Sequence, residues 1–344
     1  MNASNLSDSP DLLNDDPVFP ETETNQRRRL DFLGYAPCPL RNELKGRLHR
    51  HFRAIAARGG EAPAWFMPAG CHSPNPYDEL WQTTDAAALP GLISETGFGD
   101  YNRPEFLKRW FDTGVFGPVE AGAVRPEFLD AGLVDPQGQF HIYGAVPEVV
   151  LVDLNRLGDR PIPRTWADVF HPRFRHDVIV SGEQGDIHES LVYGIGKDHG
   201  EAGLAALGAN VGDFFHPAEM AKMAGSANPK GAALYLLPNF FAKSCPHKQA
   251  TRIIWPEEGA YMNPLYLFRK ADAGPAAQPA LDYLCGAEWG AHLAKVGFVP
   301  ARADSPPAPG KLRWVGWDFV RTHDLEALKT ANNAAFVRGY ESTR

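Results

Sequence analysis

Two apolar segments separated by a polar stretch occupy residues 230–270 and most constrain the fold of this chain. The first segment, 232–237, is broken at Pro238, and the second starts at 252–255 and resumes after a turn as 261–268. The intervening turn, 255–259, has the sequence WPEEG, with proline and glycine where tight turns favour them. Continuous apolar runs of this length are typical of strands buried on both faces. The region therefore predicts two buried strands around which the rest of the chain is arranged.

Three strand–loop–helix units precede this region, with predicted strands at 30–35, 64–67 and 92–94. Alternation of strands and helices is typical of an α/β fold with a parallel sheet. Ligands of such sheets lie beyond the carboxyl ends of the strands. We therefore expect Cys38, Cys71 and the loop 97–100 to lie on one rim.

Cysteine occurs in two of these predicted rim loops. Because Pro39 suits the first position of a helix, Cys38 is predicted as the N-cap, where the helix dipole favours a thiolate. Gly70, Cys71 and His72 follow the second strand, and the glycine suggests close approach of the backbone to a ligand. For each cysteine, a structural role and a ligand-binding role both remain open.

A second unit follows residue 138. Asp186 and Glu189 have the spacing of a capping box that opens a helix at 187–197, with His188 in its first turn. A helix N-terminus favours anions, whereas the acidic residues here oppose a bare anion. His188 is therefore a candidate ligand-binding residue or a solvated first-turn side chain.

The order and spacing of several segments carry a resemblance to a known family. They are 140–152 (FHIYGAVPEVVLV), 163–180 (PRTWADVFHPRFRHDVIV), 185–203, 281–302 and the region 230–270. Together they resemble the type II solute-binding proteins of ABC importers, most of all the iron-transport branch. The similarity extends over roughly residues 30 to 320.

This resemblance implies an α/β fold of two lobes, with two crossover segments and a ligand cleft between the lobes. The implied division is 1–29 as a disordered tail, 30–140 with 260–344 as lobe 1, and 141–259 as lobe 2. It also implies a monomeric, non-catalytic protein that captures a small-molecule or metal ligand, with an ABC permease as partner and no required cofactor. The alternative is a cytoplasmic binding protein or enzyme on the same fold that acts on an organic anion.

Ferric-binding relatives use two adjacent tyrosines near the second crossing, where this chain has Phe240 and Phe241. Thiols and imidazole would favour bound iron, another transition metal or an iron–sulfur species. The candidate ligand-binding residues are Cys38, Gly70, Cys71, His72, Gly97, Asp100, Tyr143, Asp186, His188, Tyr235, Phe240, Phe241 and Trp255, and the candidate metal ligands are Cys38, Cys71, Cys245 and His188.

Composition narrows the remaining classes of function and location. The formal net charge is −8 and no long basic run occurs, which argues against nucleic acid as a partner. The polar first thirty residues lack the apolar core of a secretory signal, so a cytoplasmic location is expected, or a periplasmic or cell-surface one if the true start lies elsewhere. No catalytic constellation is evident, since neither Cys38 nor Cys71 has an orienting partner beyond His188.

Overall fold

The computed structural model describes residues 27–68 and 75–344, so most of the predicted tail and Gly70, Cys71 and His72 lie outside it. The strands of the described part are β1 Phe32–Gly34, β2 Trp65–Phe66, β3 Leu92–Thr96, β4 Phe116–Gly117, β5 His141–Asp153, β6 Val178–Glu183, β7 Asp186–Ile187, β8 Val211–Phe215, β9 Leu234–Pro238, β10 Thr251–Ile254, β11 Ala260–Lys270, β12 Val299–Pro300 and β13 Leu312–Arg313.

The described residues also form twelve α-helices. They are α1 Cys38–Ala57, α2 Pro104–Phe106, α3 Pro126–Asp130, α4 Leu154–Leu157, α5 Trp166–Val169, α6 Glu189–Asn210, α7 Pro217–Met223, α8 Asn239–Ser244, α9 Gln278–Leu284, α10 Ala287–Val296, α11 Trp317–Thr322 and α12 Leu325–Glu341. A π-helical turn, Leu107–Phe111, continues α2. No helix among the described residues has the length and apolar character needed to cross a membrane.

The strands pair in the order β2-β1-β3-β11-β5-β9-β6-β7. The first three strands are parallel, and β11 and then β5 join them in antiparallel fashion. In the second half of the sheet, β6 is parallel to both β8 and β9. The predicted α/β class with parallel units is therefore confirmed.

The strand β5 connects the two halves of the sheet by changing partners along its length. Its residues up to Pro147 pair with β11, with Met262 opposite Pro147. From Glu148 onward it pairs with β9, with Pro238 opposite Glu148. Both β5 and β11 are buried almost throughout, which explains their continuous apolar sequence. The two long crossing strands predicted from the sequence are thus present.

The last helix, α12, packs along α6, which follows the second half of the sheet. The Tyr193 hydroxyl donates a hydrogen bond to the Leu325 carbonyl at 2.9 Å. A side chain on Gly208 or Gly339 would overlap the backbone of the opposite helix. These two glycines let α12 approach α6 closely, so the end of the chain packs beside the second half of the sheet.

Candidate functional site

The carboxyl ends of β1, β3, β6 and β9 face the region where β5 passes from one half of the sheet to the other. This is the position at which α/β sheets bind ligands. Residues beyond the ends of β1 and β3 form one wall, residues beyond β6 and β9 form the other, and the crossing strands form the floor. We call this region the cleft.

Glu95, near the end of β3, is the main charged group of the first wall. Its carboxylate accepts a hydrogen bond from the Thr96 backbone N–H at 2.7 Å. Burial raises the pKa of Glu95 to about 8, and the nearby carboxylates of Asp100 and Glu189 add to the effect while Arg41 opposes it. Since Glu189 lies on the opposite wall, carboxylates from both walls act on each other across the cleft.

Aromatic and polar side chains surround Glu95. The Tyr35 hydroxyl accepts a hydrogen bond from the Asn75 amide at 3.2 Å, and burial raises its pKa. Asp100 forms an ion pair with Arg103 at 2.6 Å. Gly97 has a φ of +78°, and a Cβ there would lie 2.8 Å from Asn263 Oδ1. Glycine is therefore required for β11 to approach this loop.

His188 is the main candidate of the second wall, and it binds to a carboxylate of the floor. Its Nδ1 lies 3.0 Å from Glu148 Oε1 and 2.8 Å from Ser190 Oγ. Burial alone would lower the pKa of His188, but the Glu148 carboxylate outweighs burial and raises it. The fully buried glutamate therefore favours the protonated form of His188.

The predicted capping box at Asp186 is wrong. His188 is the N-cap of α6, and Asp186 lies in β7, which pairs with the end of β6 as a tight hairpin. Gly182, with a φ of +122°, allows this pairing. Asp186 instead forms an ion pair with Lys329 of α12 at 3.0 Å, and the same ammonium lies 3.4 Å from Glu189.

The predicted thiolate site is also wrong where the structure describes it. Cys38 is disulfide-bonded, so its sulfur is not a thiolate ligand. Pro37, not Cys38, is the N-cap of α1, with no side-chain capping bond. Cys245 is buried in the core behind α8, with its sulfur 3.7 Å from the Ala224 carbonyl oxygen. Cys245 is therefore a core residue.

The predicted aromatic site residues divide between core and wall. Tyr143 and Tyr235 are buried in the core, and burial raises the pKa of Tyr235 to about 12. Phe240 is partly buried at the start of α8, 6.0 Å from the Phe298 ring between ring centroids. Trp255 donates a hydrogen bond from its indole to the Lys311 carbonyl at 2.6 Å. Of these four residues, Phe240 lies nearest the carboxyl end of β9.

Sequence reasoning missed Glu95, Glu148, Ser190 and Asn263. A signal for Glu148 was available, because it is the sole charged residue in the apolar run 142–152. Within residues 27–68 and 75–344, no three His, Cys, Asp or Glu side chains are grouped as a ready-made metal site. The described cleft therefore offers separate oxygen and nitrogen groups on its two walls.

Comparison with known proteins agrees with this architecture. A family model described as bacterial extracellular solute-binding protein matches residues 87–323, more than half of the chain. No curated protein matches the chain.

Three solved structures with the same fold illustrate the likeness. Apo ferric ion-binding protein A of Pasteurella haemolytica has 13% identity and a TM-score of 0.59, covering 91% of this chain and 96% of that one. Apo FutA2 of Synechocystis PCC6803 has 16% identity and a TM-score of 0.60, covering 90% and 98%. The Trichodesmium protein FutA, in complex with iron and citrate ligands, has 13% identity and a TM-score of 0.59, covering 91% and 98%. At these identities the likeness shows the fold, and the predicted two-lobed solute-binding fold is confirmed. By its family match, the chain belongs to the bacterial extracellular solute-binding proteins.

Proposed function

We propose that this protein captures an iron complex in the cleft for an ABC-type transport system and carries out no catalytic step. The observation that carries the proposal is Glu95 near the end of β3, whose ionisation is disfavoured by burial and by the carboxylates of Asp100 and Glu189. A bound cation would stabilise the ionised form of Glu95. The similar structures of a ferric ion-binding protein and of a protein in complex with iron and citrate support iron as the cation.

A chelated ion suits the cleft better than a bare ferric ion. Phe240 and Phe241 stand where adjacent tyrosines are expected, so two oxygen ligands are lost. Glu95, Glu189 and His188 could contact the metal or its chelator. A small chelator such as citrate would supply the remaining oxygen ligands.

Binding should draw the two lobes together, since one ligand would contact both walls. For the division of the chain we propose lobe 1 as residues 30–140 and 260–322, and lobe 2 as 141–259 with α12. The packing of α12 along α6 supports placing it with lobe 2. The permease would then meet a surface formed by both lobes.

The disulfide at Cys38 favours an oxidising compartment, the periplasm or the cell surface, over the cytoplasm. Alkylation of unfolded, unreduced protein should label Cys245 and Cys285 and leave Cys38 unmodified. Labelling of Cys38 without prior reduction would contradict this location.

Thermal unfolding in the presence of ferric citrate tests the proposed function. We expect a saturable rise in Tm with ferric citrate and none with citrate alone, because a ligand at 100 times its Kd adds about 2.7 kcal/mol to the free energy of unfolding. Glu95→Gln should weaken the response, and Glu105→Gln, at an exposed position on α2, should not. The proposal would be refuted if citrate alone raised Tm as much as ferric citrate does, or if ferric citrate did not raise Tm.

A further inference from the structure

Glu148 is a fully buried carboxylate, and among the described residues only one of its two oxygens has a partner. Its Oε1 accepts a hydrogen bond from Ser190 Oγ at 3.3 Å and lies 3.0 Å from His188 Nδ1. Its Oε2 is buried and has no hydrogen-bond partner within the described parts of the chain. His188 lies beside Oε1, so among the described residues the acceptor position at Oε2 is left without a donor.

Two further buried oxygens without partners among the described residues lie beside it. They are Asn263 Oδ1 on β11 and Thr96 Oγ1 on β3. Asn263 is paired with Val146, two residues before Glu148, so Asn263 and Glu148 are diagonal neighbours on the same face. Thr96 is paired with Leu265, two residues after Asn263, and continues the same diagonal. The three oxygens thus form a row across the floor of the cleft.

Such a row is costly unless something donates to it. A buried polar group without a partner costs about 1–3 kcal/mol, and more if it is charged. Buried polar groups in native proteins are nearly always satisfied, so each exception requires a partner outside the chain. The row lies where β5 changes partners, between the two walls that would enclose a ligand.

We propose that Glu148 Oε2 and Asn263 Oδ1 accept hydrogen bonds from an N–H or O–H group of the bound ligand. This inference rests on the proposed function and narrows the ligand class. A ligand that presents only carboxylate oxygens to the floor would meet acceptors and be rejected. A metal-bound water, or a hydroxyl group on the chelator, supplies the required donor.

The test compares Glu148→Gln with wild type by titration with two probes, ferric citrate and ferric nitrilotriacetate. The substitution keeps the size of the side chain but turns one acceptor oxygen into an N–H donor, which would oppose the ligand donor. We expect Kd to rise about 10- to 100-fold, as for loss of a hydrogen bond to a charged group. Glu201→Gln is the matched control, since Glu201 pairs with Arg338 at 2.6 Å on the exposed side of the same helix, α6.

The two probes separate the sources of the donor. Nitrilotriacetate in its ferric complex has no hydroxyl group, so a loss with both probes assigns the donor to iron-bound water. A loss confined to ferric citrate assigns it to the chelator hydroxyl. Asn263→Ala serves as a second variant that leaves the pair of Glu148 and His188 intact, in case Glu148→Gln does not fold.

The outcomes also separate this inference from the proposed function. If wild type binds a ferric probe and both variants bind it equally well, the oxygens hold only structural water and the inference is overturned alone. If wild type binds neither probe, the proposed function is overturned and this inference with it.

Discussion

Glu95 is partly buried and Glu148 is fully buried, and the protein surrounds the two acidic residues differently. Glu148 lies 3.0 Å from His188 Nδ1, whereas Glu95 has two carboxylates nearby, which the Thr96 N–H and the Arg41 guanidinium oppose. The pKa of Glu95 is therefore raised to about 8. A residue in this state is protonated near neutral pH and is ready to exchange its proton for a cation.

Replacing Glu95 with Gln should change how stability depends on pH in metal-free protein. The folded-state pKa of about 8 lies above the ordinary value, so the folded protein binds the extra proton and wild type loses stability as pH rises from about 4.5 to 8. Glu95→Gln lacks this loss and should be the more stable protein at pH 8, by on the order of 3 kcal/mol.

Urea unfolding of wild type and Glu95→Gln at about pH 5 to 9, a range that includes the raised pKa, measures the difference in their free energies of unfolding. Glu105→Gln, in which an exposed carboxylate is removed, should follow wild type. If the free energies of unfolding of wild type and Glu95→Gln change equally with pH across this range, the pKa of Glu95 is not raised.

At the scale of elements, α6 and α12 pack closely because glycines, which have no side chain, lie at their contact. Gly208 and Gly339 allow the two helix backbones to meet, and a Cβ on Gly339 would overlap the carbonyl of Ala205. The sequence of α12 alone gives little indication of this partner, because its apolar residues form only a weak stripe.

Gly339→Ala should destabilise the protein, opposite to the usual effect of alanine in a helix interior. Overpacking of this kind costs about 1–3 kcal/mol. Gly274→Ala is the control, since a Cβ at Gly274 meets no atom within 4 Å and its φ is already negative.

Chemical unfolding followed by circular dichroism measures both variants. A Gly339→Ala protein as stable as wild type would mean that α12 can move away from α6 without loss.

At the scale of the whole molecule, three features join the two lobes. The strands β5 and β11 run through the junction, and α12 returns the chain from the first lobe to α6 of the second. Phe98, beyond the end of β3, also packs against Tyr193 of α6 with ring centroids 4.8 Å apart. The largest core cluster therefore extends through both lobes, and a smaller cluster lies in each half of the molecule.

We expect the two lobes to unfold together in one transition. Trp65 and Trp289 report on the first lobe and Trp166 on the second, and all three are fully buried. Tryptophan fluorescence and far-ultraviolet circular dichroism should give coincident urea transitions, as two-state unfolding requires. Two separated transitions would show that the lobes are independent folding units.

The sequence by itself determined the crossing strands, the parallel units of the first lobe and the solute-binding resemblance. Long apolar runs such as 261–268 have no stable place except inside a sheet covered on both faces, so local pattern is sufficient. Pro39, predicted at the first helical position, likewise gives the first residue of α1 to within one position.

Only the tertiary structure decided the composition of the cleft. Glu148 contacts His188 and Ser190, which lie 40 and 42 residues further along the chain, and Cys245 lies in the core although it follows the aromatic pair. Asp186 pairs with Lys329 of α12 instead of capping its own helix. These outcomes depend on which distant groups compete for each side chain, and that competition exists only once the chain has folded.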